Sequence, residues 1–143
     1  MTDTQQRAFR ELEKLYQEIE EQARHGDCRM CGACCHFRTF GHRLYATRLE
    51  ALYLLWRCGL PQAAFGEDCC GYQRDTLCLA RQGRVLGCRT FFCTGAAGRQ
   101  QREHEEALAR IRRIVESEGI EWDYRPLSEH IALLRQQDFP EVL

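Results

Sequence analysis

The sequence lacks any apolar run long enough to cross a bilayer. Its longest uninterrupted run, residues 51–56, is six residues, against about 20 for a membrane helix. It also lacks the basic start and apolar stretch of a secretory leader, since the chain opens Met1, Thr2, Asp3, Thr4, Gln5, Gln6. No internal repeat or low-complexity stretch is present. No nucleophile–base pair, glycine-rich phosphate loop or paired-carboxylate pattern stands out, so nothing names a substrate. An excess of one charge sign is missing too: 20 basic side chains meet 21 acidic ones, for a net charge of −1. That balance argues against a general nucleic-acid binder. These absences point to a cytoplasmic chain in a reducing compartment, where stable disulfides are rare and clustered cysteines bind metal or do redox work.

Cysteine is abundant. There are ten cysteines in 143 residues, and a chain of this length can bury a core without covalent staples. All ten lie in residues 27–98, which carry nine basic and five acidic side chains, a balance of +4. Residues 1–26 and 99–143 are acidic by −2 and −3. Thiolate–metal centres usually keep net negative charge, so arginine around them is electrostatically sensible.

The chain reads as a single mostly α domain over residues 1–143, with a cysteine-rich irregular metal-binding centre and a few short strands. Residues 1–26 supply an N-terminal helix, 27–98 the cysteine core and 99–143 C-terminal helices. Ala8, Phe9, Leu12, Leu15, Tyr16, Ile19 and Ala23 recur at helical spacing over 4–25, with Gly26 to end the helix and a glutamate-rich face toward solvent. Residues 27–42 form an irregular ligand-bearing loop. Thr47 and Glu50 have capping-box spacing at the start of a second helix. Leu49, Leu52, Tyr53 and Trp56 form its buried stripe, and Gly59 closes it. Pro61 opens a short helix through Phe65. Residues 66–98 hold six glycines and suggest short strands at 70–73, 77–80 and 89–92. A long helix over 99–117 buries Leu108, Ile111, Ile114 and Val115, with Gly119 after it. A last helix over 127–137 starts near Pro126 and Ser128 and buries Ile131, Leu134 and Leu133. Trp122 and Tyr124 anchor the connector before it.

The chemistry lies in Cys28-Arg-Met-Cys31-Gly-Ala-Cys34-Cys35. Two C-x2-C steps share Cys31. A two-residue turn returns both sulfurs to one side, and its N–H groups stabilise the thiolate form. Three sulfurs so placed nearly complete a tetrahedral site or one face of a cubane cluster. A looser set, Cys70, Cys78, Cys88 and Cys93, adds four more. Cys58, at the end of an apolar helix, reads as a buried thiol. Cys69 adjoins Cys70, and an extended backbone lets only one of them reach a given metal. His36 is a further candidate ligand. His25, His42, His104 and His130 lack partner spacing. Arg84 and Arg89 pair with cluster charge, pair with acidic side chains, or are solvated.

Simple templates fit incompletely. The bacterial ferredoxin pattern requires cysteine where Arg38 stands, a zinc ribbon requires a second C-x2-C knuckle, and the radical-SAM pattern requires a longer first gap. The sequence resembles more closely the YkgJ-like cysteine-cluster family of zinc- or iron-chelating domains. Cys28, Cys31, Gly32, Cys34 and Cys35 match its first block, and Thr47 and Glu50 its capped helix. Cys70, Cys78, Arg84, Leu86, Gly87, Cys88, Arg89 and Phe91 match its second. Val85 and Gly71 replace prolines of the pattern, and Leu79 and Ala80 stand near its aromatic position, while the cysteine framework is intact. The resemblance covers residues 28–93. It implies a metal-binding domain with distant similarity to flagellin lysine methylases, which carry an iron–sulfur centre on a longer chain.

The expected ligands are Cys28, Cys31, Cys34, Cys35, Cys70, Cys78, Cys88 and Cys93, holding zinc or iron, the latter as an iron–sulfur cluster. One reading is a binding or adaptor module with a protein partner. The other is an iron–sulfur redox enzyme, electron carrier or redox sensor.

Overall fold

The computed structural model describes residues 2–23, 44–61, 72–74, 77–78, 80–90 and 97–137, with backbone alone at 22–23, 73–74, 77–78 and 97–100. Among these residues the fold is mostly helical. The elements are α1 (Asp3–Ala23), β1 (Tyr45–Thr47), α2 (Arg48–Cys58), β2 (Gln73–Arg74), β3 (Leu77–Cys78), a 3-10 turn (Arg81–Gly83), α3 (Leu86–Thr90), α4 (Ala97–Ser117), β4 (Tyr124–Pro126) and α5 (Leu127–Gln136).

Helix α1 follows its periodicity. Ala8, Phe9, Leu12, Leu15 and Tyr16 are buried, and Ile19 packs at the core's edge. Helix α2 is apolar around its circumference, which marks a helix enclosed by others. Every residue from Leu49 to Leu55 is buried, including Glu50. Its capping box forms as expected. Thr47 Oγ1 accepts from the Glu50 N–H, and the Glu50 carboxylate accepts from the Thr47 N–H. Gly59 ends the helix at φ 72°, a conformation that suits glycine.

Trp56 departs from the expected stripe. It is 42% exposed, because a helix buried on most sides has its free edge near its C-terminus, and there Trp56 stacks on Phe9. Leu133 likewise faces outward at 39% exposure, while Leu127, His130, Ile131 and Leu134 fill the inner face of α5. Leu108 and Ile114 of α4 are partly buried, and Ile111 and Val115 fully so.

Strands β1 and β4 pair antiparallel, with Ala46 opposite Arg125. This joins residues far apart in sequence, and the bond from Leu127 N–H to the Leu44 carbonyl extends it. Tyr124, expected to anchor the connector, is itself in the strand, stacked between Tyr45 and Trp122. Strands β2 and β3 also pair antiparallel, with Gln73 opposite Cys78. The strand expected at 89–92 is not formed at its start, since Arg89 and Thr90 belong to helix α3. A β propensity over so few residues yields to the contacts α3 makes with α1 and α4. The short helix expected after Pro61, and the loop over 27–42, lie outside the described residues.

One aliphatic and aromatic core joins these elements, with α1 packed on α2, α3 and α4, and α5 on α2. Its fully buried members include no cysteine among the described residues; Cys58 and Cys88 pack at its margin.

Candidate functional site

The described part of the cysteine segment centres on α3. Cys88 lies on this helix, half-buried, with Arg84 just before the helix and Arg89 within it. Both arginines are buried, at 9% and 6% exposure, and each makes three directed hydrogen bonds. Arg84 donates from Nε to the Arg81 carbonyl (3.1 Å), from Nη1 to the Cys88 carbonyl (3.4 Å) and from Nη2 to Glu20 Oε1 (2.7 Å). Arg89 donates from Nε to the Arg84 carbonyl (2.7 Å), from Nη1 to Glu20 Oε1 (2.8 Å) and from Nη2 to the Gln82 carbonyl (3.0 Å). Its guanidinium also lies 3.9 Å from the centre of the Tyr16 ring, a cation–π contact in a desolvated setting.

Of the fates open to these arginines, solvation is excluded by their burial, and pairing with an acidic side chain is present, through Glu20. A planar guanidinium with five donors can bond one carboxylate and several carbonyls at once, which lysine cannot do. The clamp ties the Cys88 helix to α1. Among the described residues the two buried guanidiniums share the half-exposed Glu20 carboxylate.

Glu20 escaped the sequence reading, which assigned the glutamate face of α1 to solvent. A signal was present: Glu20 lies one turn after buried Tyr16 and two turns after Leu12, on the inner face. Glu13 is engaged as well, accepting from the Tyr53 hydroxyl at 2.8 Å.

A second polar junction braces α3 from the other side. Glu50 is 1% exposed. Its carboxylate accepts from the Thr47 N–H (2.8 Å), the Thr47 hydroxyl (3.1 Å), the Tyr16 hydroxyl (3.1 Å) and the Leu86 N–H (2.6 Å). One carboxylate thus joins α1, the cap of α2 and the first residue of α3. Burial pushes its pKa up, and the four donors pull it part of the way back. Burial and the Glu50 charge also raise Tyr16 well above the usual phenol range. At the far end of α3, the Thr90 hydroxyl bonds the Leu86 carbonyl and meets His104 Nδ1 at 2.9 Å. His130 Nε2 donates to the Ala46 carbonyl at 2.8 Å. Burial lowers the pKa of both histidines.

The remaining expected ligands are placed unequally. Cys78 is on β3, where the backbone alone is described. Cys28, Cys31, Cys34, Cys35, Cys70 and Cys93 lie outside the described residues, as do Cys69 and His36. Cys58, expected to be buried, is half-buried at the end of α2, where a methyl group added to Gly83 would meet its sulfur at 3.0 Å. Among the described residues no three histidine, cysteine, aspartate or glutamate side chains converge into a metal-holding group. The donor chemistry of the described part suits a thiolate centre in two respects: Cys88 is a soft donor at the margin of the core, and two buried guanidiniums adjoin it. No helix among the described residues is long and apolar enough to cross a membrane. Comparison with protein-family models, curated proteins and solved structures finds no match for this chain.

Proposed function

We propose that this protein binds a metal centre, zinc or an iron–sulfur cluster, through clustered cysteine thiolates in the cytoplasm. The observation that carries the reading is the Cys28-x2-Cys31-x2-Cys34-Cys35 block followed by Cys70, Cys78, Cys88 and Cys93. The resemblance of these two blocks to the YkgJ-like family supports it. So do the two buried guanidiniums beside Cys88, since positive charge suits a net-negative thiolate centre. Arg84, Arg89 and Glu20 hold the Cys88 helix against α1, and Glu50 holds its first residue. A closed zinc site would supply folding energy; an iron–sulfur cluster would supply electron transfer, tuned by the charge around it.

Anaerobic purification followed by a visible spectrum and metal analysis tests the reading. A brown protein with visible charge-transfer absorption excludes zinc alone and favours the redox reading. A colourless protein with stoichiometric zinc excludes the cluster and favours an adaptor module. A folded, monodisperse, metal-free chain overturns both. Replacing Cys31 or Cys34 with serine is expected to abolish metal retention and lower stability; unchanged metal content would show that the first block is not a ligand set.

A further inference from the structure

A groove of about 820 Å3 runs between α1 and α4, on a surface lined by neither Cys58 nor Cys88. Two ion pairs show that the helices run antiparallel. Arg7 near the start of α1 meets Glu118 just past the end of α4 at 3.2 Å, and Glu18 late in α1 meets Arg110 of α4. Between these two bridges the groove receives Arg10 and Lys14 from one wall and Arg113 from the other. Most of its charges are matched: Arg7 by Glu118, Arg110 by Glu18, and Lys14 by Glu11. Arg10 and Arg113 have no carboxylate within ion-pair distance among the described residues. The two uncommitted guanidiniums therefore face one groove from opposite helices. They do so on two segments of the chain that are acidic overall, so the positive patch is local.

We propose that this groove binds a small phosphate-bearing anion, with Arg10 and Arg113 as its principal contacts. Guanidinium forks match phosphate oxygens in pairs. The volume is in the range of small-molecule sites, roughly 300–1,000 Å3. The lining favours this ligand over an acidic protein segment. Among the described residues Ile114 is its only apolar side chain, whereas a protein partner requires an apolar contact core and about 800 Å2 on each side. The site is independent of the metal reading, since no cysteine among the described residues contributes to it.

Isothermal titration calorimetry of the full chain with a hexose 1,6-bisphosphate tests the proposal. This probe chelates metal weakly, so a bound centre is left in place. Saturable binding is expected, falling at least tenfold in the Arg10→Gln/Arg113→Gln variant and weakening with added salt. Arg57→Gln, at an exposed arginine on α2, is the control and is expected to bind as the parent chain does. Circular dichroism melting of the double variant should match that of the parent chain, because neither target arginine bridges the helices. Absence of binding overturns the proposal, as does binding unchanged in the double variant or equally weakened in the control. Binding of a poly-glutamate peptide in place of the bisphosphate overturns it in favour of an acidic protein partner.

Discussion

At the scale of single residues, two carboxylates tie α3 to its neighbours. Glu50 is enclosed, yet four donors converge on it. Glu50→Gln replaces one acceptor oxygen with a donor facing donors. It is expected to cost about 2–4 kcal/mol in urea unfolding at pH 7. Because burial raises the folded pKa of Glu50, the unfolded chain ionises first as pH rises. Native stability from this group is therefore fully present below the unfolded carboxylate range and declines toward the folded pKa. The gap between the parent and Glu50→Gln should shrink from acid to neutral pH, and a gap that widens would contradict the assignment. Glu20 is the other carboxylate. Glu20→Gln, which removes the carboxylate charge that both guanidiniums share, is expected to cost about 1–2 kcal/mol, read as a lower urea midpoint with unchanged slope. Arg89→Lys should cost at least as much, since an ammonium cannot reproduce three directed bonds and the stacking on Tyr16.

At the scale of elements, α2 and α3 show how local and tertiary signals divide the work. The start and stop of α2 were written locally, in Thr47, Glu50 and Gly59. Its place as the enclosed helix was legible only in part, because the stripe through Trp56 suggested one buried face where seven consecutive residues are buried. Helix α3 is five residues long, too short for periodicity to announce it. It holds its shape through Glu50 at one end, Thr90 and His104 at the other, and the arginines between. The 3-10 turn before it packs tightly on α2: a methyl group at Gly83 would lie 3.0 Å from Cys58 Sγ and 3.3 Å from Leu54 Cα. Gly83→Ala is therefore expected to destabilise by about 1–3 kcal/mol through overpacking. A thermal melt checks this, with Gly119→Ala, which meets no atom within 4 Å at φ 67°, as a comparison for backbone strain alone.

At the scale of the whole molecule, the described helices share a core whose fully buried members are aliphatic and aromatic. If cysteines hold a metal, chelation should lower the melting temperature while much of the far-ultraviolet helix signal survives at low temperature. Complete loss of helix on chelation would mean that the core depends on the metal throughout. Two buried histidines add a pH dependence. Burial depresses the folded pKa of His104 and His130, so the unfolded chain takes up protons first as pH falls below about 6.5. Stability from this source is present above that value and is lost as pH falls toward the folded pKa values. His130→Gln keeps a donor for the Ala46 carbonyl but does not titrate. Its urea midpoint should decline less between pH 7 and pH 5 than that of the parent.

The sequence by itself determined the predominance of helix, the inner face of α1, the cap and terminus of α2 and the approximate extents of α4 and α5. These follow from 3.6-residue periodicity and local capping chemistry, which act within a few residues. It also set out the cysteine spacing on which the metal reading rests. Tertiary structure decided what depends on residues distant in the chain: the pairing of Ala46 with Arg125, the outward placement of Trp56 and Leu133, and the convergence of Arg84 and Arg89 on Glu20. A guanidinium's choice between solvent, thiolate and carboxylate depends on which partner the packed helices bring within about 3 Å, and spacing along the chain does not encode that distance.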